Sequence, residues 1–202
     1  DLEQFAYVAS HDLQEPLRMV ASYTRLLAEE YGDKLGEEGK LFVHFARDGA
    51  ERMQQLIHDL LAFSRVGSRG RQARPVSAQG CVSSALENLR ISIEETSAEI
   101  RANNLPDVLA DPVHLTELFQ NLISNSIKFR RELPPLIEIQ ASKTAEGVEF
   151  TLRDNGIGMD SQYFEEVFQV FKRLHSKEEY PGTGIGLAIC KRIVERAGGR
   201  IW

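Results

Sequence analysis

Apolar residues recur at helical spacing in two long stretches in the first third of the chain. The first stretch runs from Leu2 to Tyr31. The second follows a connection rich in glycine and charge and continues through Phe63. Each stretch predicts one long amphipathic helix, and the short connection predicts that the two helices are antiparallel. A lone hairpin cannot bury two broad apolar stripes, so the pattern predicts a homodimer in which two hairpins form a four-helix bundle.

The pattern changes after residue 66. Residues 67–75 are glycine-rich and basic and show no apolar periodicity, which predicts an interdomain linker. Further along, helical spacing predicts helices over residues 78–95, 112–129, 161–168 and 184–197, and a short strand is predicted over 99–101. Apolar and polar residues alternate over 136–141 and 148–152, which predicts an antiparallel strand pair.

The predicted fold class is therefore α+β. An antiparallel helical hairpin occupies residues 1–66 as the first domain, and the linker follows over residues 67–75. An α/β sandwich with its helices on one sheet face occupies residues 76–202 as the second domain.

Composition narrows the classes of function. The chain is 42% hydrophobic and 27% charged, and no apolar run approaches the roughly 20 residues of a membrane span. A net charge of -6 argues against a general nucleic-acid binder. Cys81 and Cys190 lie outside metal-binding or redox motifs, which indicates reduced thiols and a cytoplasmic protein. The chain opens directly in a helical pattern without a signal peptide, so we expect a fragment of a longer protein.

His11 is the first candidate for chemistry. It lies between Ala9 and Leu13 of the first apolar stripe and is predicted to project from the opposite, solvent-facing side. A lone histidine is more often structural or merely exposed, but its neighbours favour a reactive one. Asp12 can orient or deprotonate the imidazole, and Pro16 removes the backbone hydrogen bond to the Asp12 carbonyl, which loosens the helix.

A second group of candidates is predicted to share one helix face. Asn121, Asn125 and Lys128 are spaced at i, i+4 and i+7. Two carboxamides and an ammonium group on one face suit a magnesium ion and the phosphates that it bridges. The alternative for this pattern alone is a polar face in contact with solvent.

Two glycine motifs complete the set. Asp154-Asn155-Gly156-Ile157-Gly158 follows a predicted strand, and its glycines permit backbone conformations that bring a ligand close, although a tight turn would look the same. Gly182-Thr183-Gly184-Ile185-Gly186-Leu187 opens a predicted helix, whose N-terminal amides can hold phosphate oxygens.

These motifs resemble those of one known family in their order and spacing. The string from His11 to Leu17 resembles the phosphoacceptor box of sensor histidine kinases, and residues 120–129 resemble the family's N box. Asp154 to Gly158 resembles the G1 box, residues 168–173 the F box, and Gly182 to Leu187 the G2 box. Residues 174–181 match the family's mobile ATP lid. The sequences of these motifs are most similar to those of family members linked to phytochrome or PAS sensors.

The resemblance implies an ATP-binding domain of the Bergerat type and a protein histidine kinase. His11 would accept the γ-phosphoryl group of ATP while Asp12 holds the other ring proton, and Asp154 would accept a hydrogen bond from the adenine amino group. Glu117 occupies the position of a water-activating glutamate in related ATPases and would support slow hydrolysis or help to position the histidine. The residues implied to bind nucleotide are Asn121, Asn125, Lys128, Asp154, Gly156, Gly158, Arg173, Gly182, Thr183, Gly184, Gly186 and Leu187, with Asn121 also ligating Mg²⁺.

The same resemblance implies the partners of the protein. They are a second copy of the chain, a response regulator whose receiver aspartate takes the phosphoryl group, and a sensor domain on the N-terminal side of this fragment. The fragment is also expected to lack the final strand pair of the sheet. Glu15 stands where members with strong phosphatase activity carry threonine or asparagine, which argues against regulator dephosphorylation.

Two other classes share part of this pattern. An ATPase or ATP-gated clamp with the same nucleotide-binding fold would explain Asn121, Asp154 and the glycines, but not the helical hairpin with its His-Asp pair. A nonenzymatic scaffold would keep the dimer without phosphoryl transfer, and the intact nucleotide motifs argue against it.

Overall fold

The computed structural model describes residues 2–68, 73–176 and 179–202 of the chain, with side chains described from residue 13 to 66 and throughout the other two ranges. The chain divides into two compact units, residues 1–68 and 69–202.

The first unit is a helical hairpin. Helix α1 (Leu2–Tyr31) packs against helix α2 (Glu37–Ser68), and the turn between them is closed by backbone bonds from Lys34 and Leu35 to the Tyr31 carbonyl oxygen. Two glutamates occupy the first turn of α2, where the helix dipole favours negative charge. The predicted hairpin is confirmed.

The second unit contains helices and strands in mixed order. They are β1 (Arg74–Ser77), α3 (Ala78–Asn88), α4 (Arg90–Thr96), β2 (Glu99–Ala102), β3 (Asp107–Ala110), α5 (Pro112–Lys128), β4 (Leu136–Lys143), β5 (Val148–Asp154), two 3-10 turns (Ser161–Tyr163 and Glu166–Phe168) and α6 (Gly186–Arg196). One sheet has the order β2-β4-β5, with β2 parallel and β5 antiparallel to β4. A separate antiparallel ladder joins β1 and β3.

Helix α5 is the centre of this unit. The Asp111 side chain accepts a hydrogen bond from the Val113 amide and Pro112 occupies the first turn, so the sequence fixes where the helix begins. The helix packs against α3 and α6, and its Phe119 ring meets the Phe150 ring of β5 edge to face at 5.5 Å. Alternate β4 residues, including Ile137, are buried in the same core. The predicted α/β sandwich is confirmed.

Several predicted elements differ in detail. The helix predicted over 78–95 is interrupted at Leu89, which leaves the helical conformation and separates α3 from α4. The helix predicted over 161–168 is two 3-10 turns, because each segment closes only a single short turn. Strands β1 and β3 were not predicted, since four residues are too few to show an alternating period.

The segment predicted to be a linker also differs at both ends. Gly67 and Ser68 continue helix α2, while Arg74 and Pro75 begin β1. Proline is tolerated in β1 because this strand pairs only with β3 and has no partner on its other side in the described sheet.

Candidate nucleotide-binding site

One face of α5 carries the polar residues singled out in the sequence. Asn121, Asn125 and Lys128 are half-buried, whereas Ile123 and Ile127 on the other face are buried in the core. The Asn121 Nδ2 donates to the Glu117 carbonyl oxygen at 3.1 Å. The Asn121 Oδ1 faces the start of α6, since a Cβ added to Gly186 would lie 3.2 Å from it.

Three glycines of the segment before and at the start of α6 each approach a different predicted ligand-binding side chain. A Cβ on Gly182 would lie 2.9 Å from the Lys128 Nζ, and a Cβ on Gly184 would lie 3.1 Å from the Arg173 Cγ. With Gly186 and Asn121, these pairs bring the predicted N box, F box and G2 box together. Larger residues at these positions would fill the space beside two cations and a carboxamide.

The local charge favours an anionic ligand. Burial lowers the pKa of Lys128, and the positive charge of Arg173 lowers it further. In the part of the chain that the structure describes, neither cation forms an ion pair with a carboxylate; the Arg173 Nη2 donates instead to the Tyr180 carbonyl oxygen at 2.8 Å. Two adjacent cations that pair with no carboxylate of the described residues are suited to phosphate oxygens.

Asp154 is the last residue of β5 and joins that strand to α5. Its Oδ2 accepts a hydrogen bond from the Ser126 hydroxyl at 3.0 Å, and its Oδ1 accepts one from the Gly156 amide at 2.8 Å. Asp154 is exposed at the end of its strand. Its two hydrogen bonds, rather than burial, fix its orientation.

The glycines of the predicted G1 box differ in role. A Cβ on Gly156 would lie 2.6 Å from the Phe129 carbonyl oxygen, so this position needs glycine for close packing against the end of α5. Gly158 has a φ of +71° and open space around its Cα, so its requirement is conformational.

A cleft of about 900 Å³ opens beside these residues. It is lined by Lys128, Arg130, Arg131, Glu132, Leu133, Ile157, Glu179, Tyr180 and Pro181. Asn121 and Asp154 are not among its lining residues; the cleft covers only the outer part of the region that the predicted ligand-binding residues define.

An aromatic cluster stands at the edge of this cleft. The Phe129 ring lies 4.9 Å from the Tyr180 ring and 5.9 Å from the His175 ring, measured between centroids. This cluster could not be predicted from the sequence, because Phe129 lies far from the other two rings along the chain. Phe171, which lies in the predicted F box, is 56% exposed and has a φ of +66°.

The catalytic candidates are only partly described. His11 and Asp12 belong to helix α1, and only their backbone is described; their side chains are outside the described part of the structure. Glu117 precedes Asn121 by one helical turn on α5. Burial raises the pKa of the Cys190 thiol on α6 to about 12, and the negative charge of Glu117 contributes to this shift. The Glu117 side chain therefore lies near α6.

The donor set is compatible with a nucleotide and Mg²⁺. Among the described residues, no group of three or more histidine, cysteine, aspartate or glutamate side chains is placed to hold a metal. A magnesium site at the Asn121 Oδ1 therefore requires further oxygen ligands, of the kind that phosphates and water supply.

Replacing Lys128 with methionine tests the electrostatic part of this site. We expect the variant to bind MgATP about ten- to hundredfold more weakly, the effect of losing a charge-assisted contact of roughly 1.5–3 kcal/mol. Its melting temperature without nucleotide should not fall, because the substitution removes a cation that burial and Arg173 disfavour. Calorimetric titration and thermal unfolding measure the two effects.

Lys191 provides the matched control. It is an exposed lysine on α6 whose Nζ lies 5.9 Å from the Phe168 ring centroid, much as the Lys128 Nζ lies 4.3 Å from the Phe129 ring. Lys191→Met should leave MgATP affinity unchanged, and equal weakening by both variants would contradict the assignment.

Stability should also vary with pH through Lys128. Since the folded state has the lower pKa, the unfolded chain binds the proton more tightly, and stability rises with pH between the lowered pKa and the ordinary value of about 10.5. Lys128→Met should remove this contribution.

Comparisons with known proteins identify both parts of the chain. A family model described as His Kinase A (phospho-acceptor) domain matches residues 1–69, and one described as histidine kinase-, DNA gyrase B-, and HSP90-like ATPase matches residues 110–202. The chain is 46% identical to phytochrome-like protein Cph1 of Synechocystis sp., covering 100% of this chain and 27% of that protein. It is 48% identical to cyanobacterial phytochrome A of Nostoc sp., covering 100% of this chain and 26% of that protein.

A solved structure is also similar to this chain. Full-length ShkA in complex with AMPPNP superposes with a TM-score of 0.69 at 27% identity, covering 96% of this chain and 41% of that one. The chain thus spans only about a quarter of the length of the curated relatives named above. In the described residues, no helix is both long and apolar enough to span a membrane. Since both domain types are matched along one chain, the protein belongs to the sensor histidine kinase family and carries its phosphoacceptor hairpin and its ATP-binding domain.

Proposed function

We propose that this chain uses MgATP to phosphorylate His11 and then passes the phosphoryl group to a receiver aspartate of a response regulator. An imidazole nitrogen of His11 attacks the γ-phosphorus, an N–P bond forms, and the P–O bond to the departing ADP breaks. Asp12 holds the proton on the other ring nitrogen. The observation that carries the proposal is the meeting of Lys128, Arg173 and Asn121 with three glycines around the start of α6.

The roles of the site residues follow from their chemistry. Lys128 and Arg173 bind and orient the phosphates, and the glycines leave room for phosphate oxygens beside them. Asp154, oriented by Ser126 and Gly156, accepts a hydrogen bond from the adenine amino group. The remaining predicted contacts are Asn125, Gly158, Thr183 and Leu187. Mg²⁺, when bound at Asn121, neutralises charge on the phosphates.

Glu117 has a secondary role in this proposal. Its carbonyl oxygen orients the Asn121 amide, and its carboxylate lies near α6. It either supports slow hydrolysis of ATP or helps to position the histidine. Glu117→Gln with unchanged hydrolysis and unchanged autophosphorylation would remove it from the mechanism.

Exposed apolar surface on the hairpin supports a homodimer. Leu13, Val20, Leu27, Phe45 and Met53 are each at least 41% exposed, although they belong to the stripes that the sequence pattern assigns to a core. Packing two hairpins into a four-helix bundle would bury this surface.

The compartment that suits two free, buried thiols is the cytoplasm. A sensor domain on the N-terminal side would control the kinase.

Incubation with γ-labelled and, separately, α-labelled ATP tests the proposal. The kinase predicts protein-bound label from γ-labelled ATP alone, because only the terminal phosphoryl group is transferred. The label should be acid-labile and base-stable, as a phosphoramidate is. Release of inorganic phosphate without bound label would favour an ATPase, and MgATP binding with neither product would favour a scaffold.

A further inference from the structure

The side chain of Asn155 makes a two-ended contact with the backbone beside the cleft. Its Nδ2 donates to the Pro134 carbonyl oxygen at 3.1 Å, and its Oδ1 accepts from the Leu136 amide at 2.9 Å. Donor and acceptor of one carboxamide thus bind two positions that flank Pro135. Nothing in the proposed phosphoryl transfer assigns a role to this residue.

The loop that Asn155 holds connects α5 to β4 and forms one wall of the cleft. Residues 130–133 supply four of the nine side chains that line the cleft. All four are exposed, so core packing does not hold them in place. The loop is held at its ends instead.

Both ends of the loop are tied to the segment around Asp154. At the start, the Ile157 amide donates to the Phe129 carbonyl oxygen at 2.9 Å. At the finish, Asn155 holds Pro134 and Leu136, and the Glu99 amide of β2 also donates to the Pro135 carbonyl oxygen at 2.8 Å. The cleft wall and the adenine-binding carboxylate are therefore positioned by the same short segment.

We propose that Asn155 is a positioning residue for nucleotide binding, which fixes the Arg130–Leu133 wall of the cleft relative to Asp154. This inference rests on the proposed ATP binding and not on the identity of the phosphorylated residue. Losing the contact lets the wall move away from the nucleotide. The phosphoryl-transfer step, in which the Asn155 side chain takes no part, keeps its rate once nucleotide is bound.

Asn155→Ala tests this role through a split between affinity and rate. The dissociation constant for MgADP, measured by calorimetry on the whole chain, should rise about tenfold, the change expected when one or two ordinary contacts are lost. The KM for ATP should rise by a similar factor. The autophosphorylation rate at saturating ATP should stay within about twofold of the parent rate.

Gln79 offers a matched control in the same domain. Its Nε2 donates to the Ala102 carbonyl oxygen at 2.9 Å and its Oε1 accepts from the Leu105 amide at 3.3 Å, so it clamps a different loop with the same pattern. That loop supplies none of the residues that line the cleft. Gln79→Ala should lower the melting temperature at least as much as Asn155→Ala, because its bonds are less exposed, and should leave the MgADP affinity unchanged.

The outcomes separate a positioning role from a structural one. Equal loss of affinity in both variants, or a lower saturating rate with unchanged affinity in Asn155→Ala, would overturn the inference. If the alanine variant does not fold, Asn155→Asp keeps the acceptor for Leu136 but replaces the donor toward Pro134 with a carboxylate oxygen. Weaker MgADP binding by that variant supports the inference and unchanged binding overturns it. Because MgADP binding is measured directly, this result is independent of whether His11 is phosphorylated.

Discussion

Replacing His11 with glutamine is expected to abolish protein-bound label from γ-labelled ATP while leaving MgATP affinity within about twofold of the parent. Glutamine keeps a polar side chain of similar reach but has no nucleophilic ring nitrogen. The nucleotide site described above lies in the other compact unit of the chain, so the substitution removes the phosphoryl acceptor and not the site that binds the donor. Labelling and calorimetry on the same preparation measure both quantities.

The chain contains its own control for this substitution. His58-Asp59 is a second His-Asp pair on the same hairpin, in α2, with a His58 side chain that is 74% exposed and an Nδ1 3.6 Å from the Asp59 Oδ1. It lacks a proline four residues after the aspartate, which His11-Asp12 has in Pro16. His58→Gln should keep full labelling. Loss of label in both variants would indicate damage to the hairpin, and retention in His11→Gln would contradict the assignment of the acceptor.

The second large effect is expected at Gly184. Its φ is +76°, and an alanine Cβ there would lie 2.7 Å from the Lys172 carbonyl oxygen and 2.9 Å from the Phe171 carbonyl carbon. These are backbone atoms that cannot move aside cheaply, so the segment that carries Arg173 must shift. We expect Gly184→Ala to weaken MgATP binding about ten- to hundredfold through the loss of the Arg173 contact, and to lower labelling at subsaturating ATP accordingly.

Gly198 separates the steric effect from backbone strain. Its φ is +77°, nearly that of Gly184, but an added Cβ would meet no atom within 4 Å. Both alanine variants should lose about 1–2 kcal/mol of stability to the left-handed conformation. Only Gly184→Ala should lose nucleotide affinity. Similar affinity loss in both variants would show that the packing of Gly184 against the Arg173 segment does not shape the site.

Much of the fold follows from the sequence because its main elements are long and periodic. Helices α1, α2 and α5 each present an apolar stripe, and strands β4 and β5 alternate over enough residues to be seen. The four-residue strands β1 and β3 could not be predicted, because their pairing depends on tertiary contacts rather than on local pattern. The interruption at Leu89 falls inside one continuous helical period and is likewise invisible in the sequence.

The candidate site, like the fold, was only partly predictable from the sequence. Sequence motifs selected Asn121, Lys128 and Arg173, but they could not show that each would approach a different glycine of one short segment. Such pairing depends on how α5 and α6 pack. The orientation of Asp154 by Ser126 was missed, because a serine in a helix has no local signal for a partner on a distant strand.

The two-ended contact of the Asn155 side chain with the backbone could not be predicted from the sequence for a related reason. In the sequence, Asn155 belongs to a motif whose aspartate and glycines already account for its appearance. Only the structure shows that its carboxamide binds the backbone on either side of Pro135.

The most direct test of histidine phosphorylation is to locate the phosphoryl group. The chain has five histidines, and an acid-labile, base-stable label is consistent with any of them. The protein would be incubated with MgATP, digested at neutral to alkaline pH and examined by tandem mass spectrometry with fragmentation that preserves the N–P bond. We expect a single phosphorylated site, on the imidazole of His11. A phosphoryl group on Ser10, on His58 or on any other residue, with His11 unmodified, would contradict it.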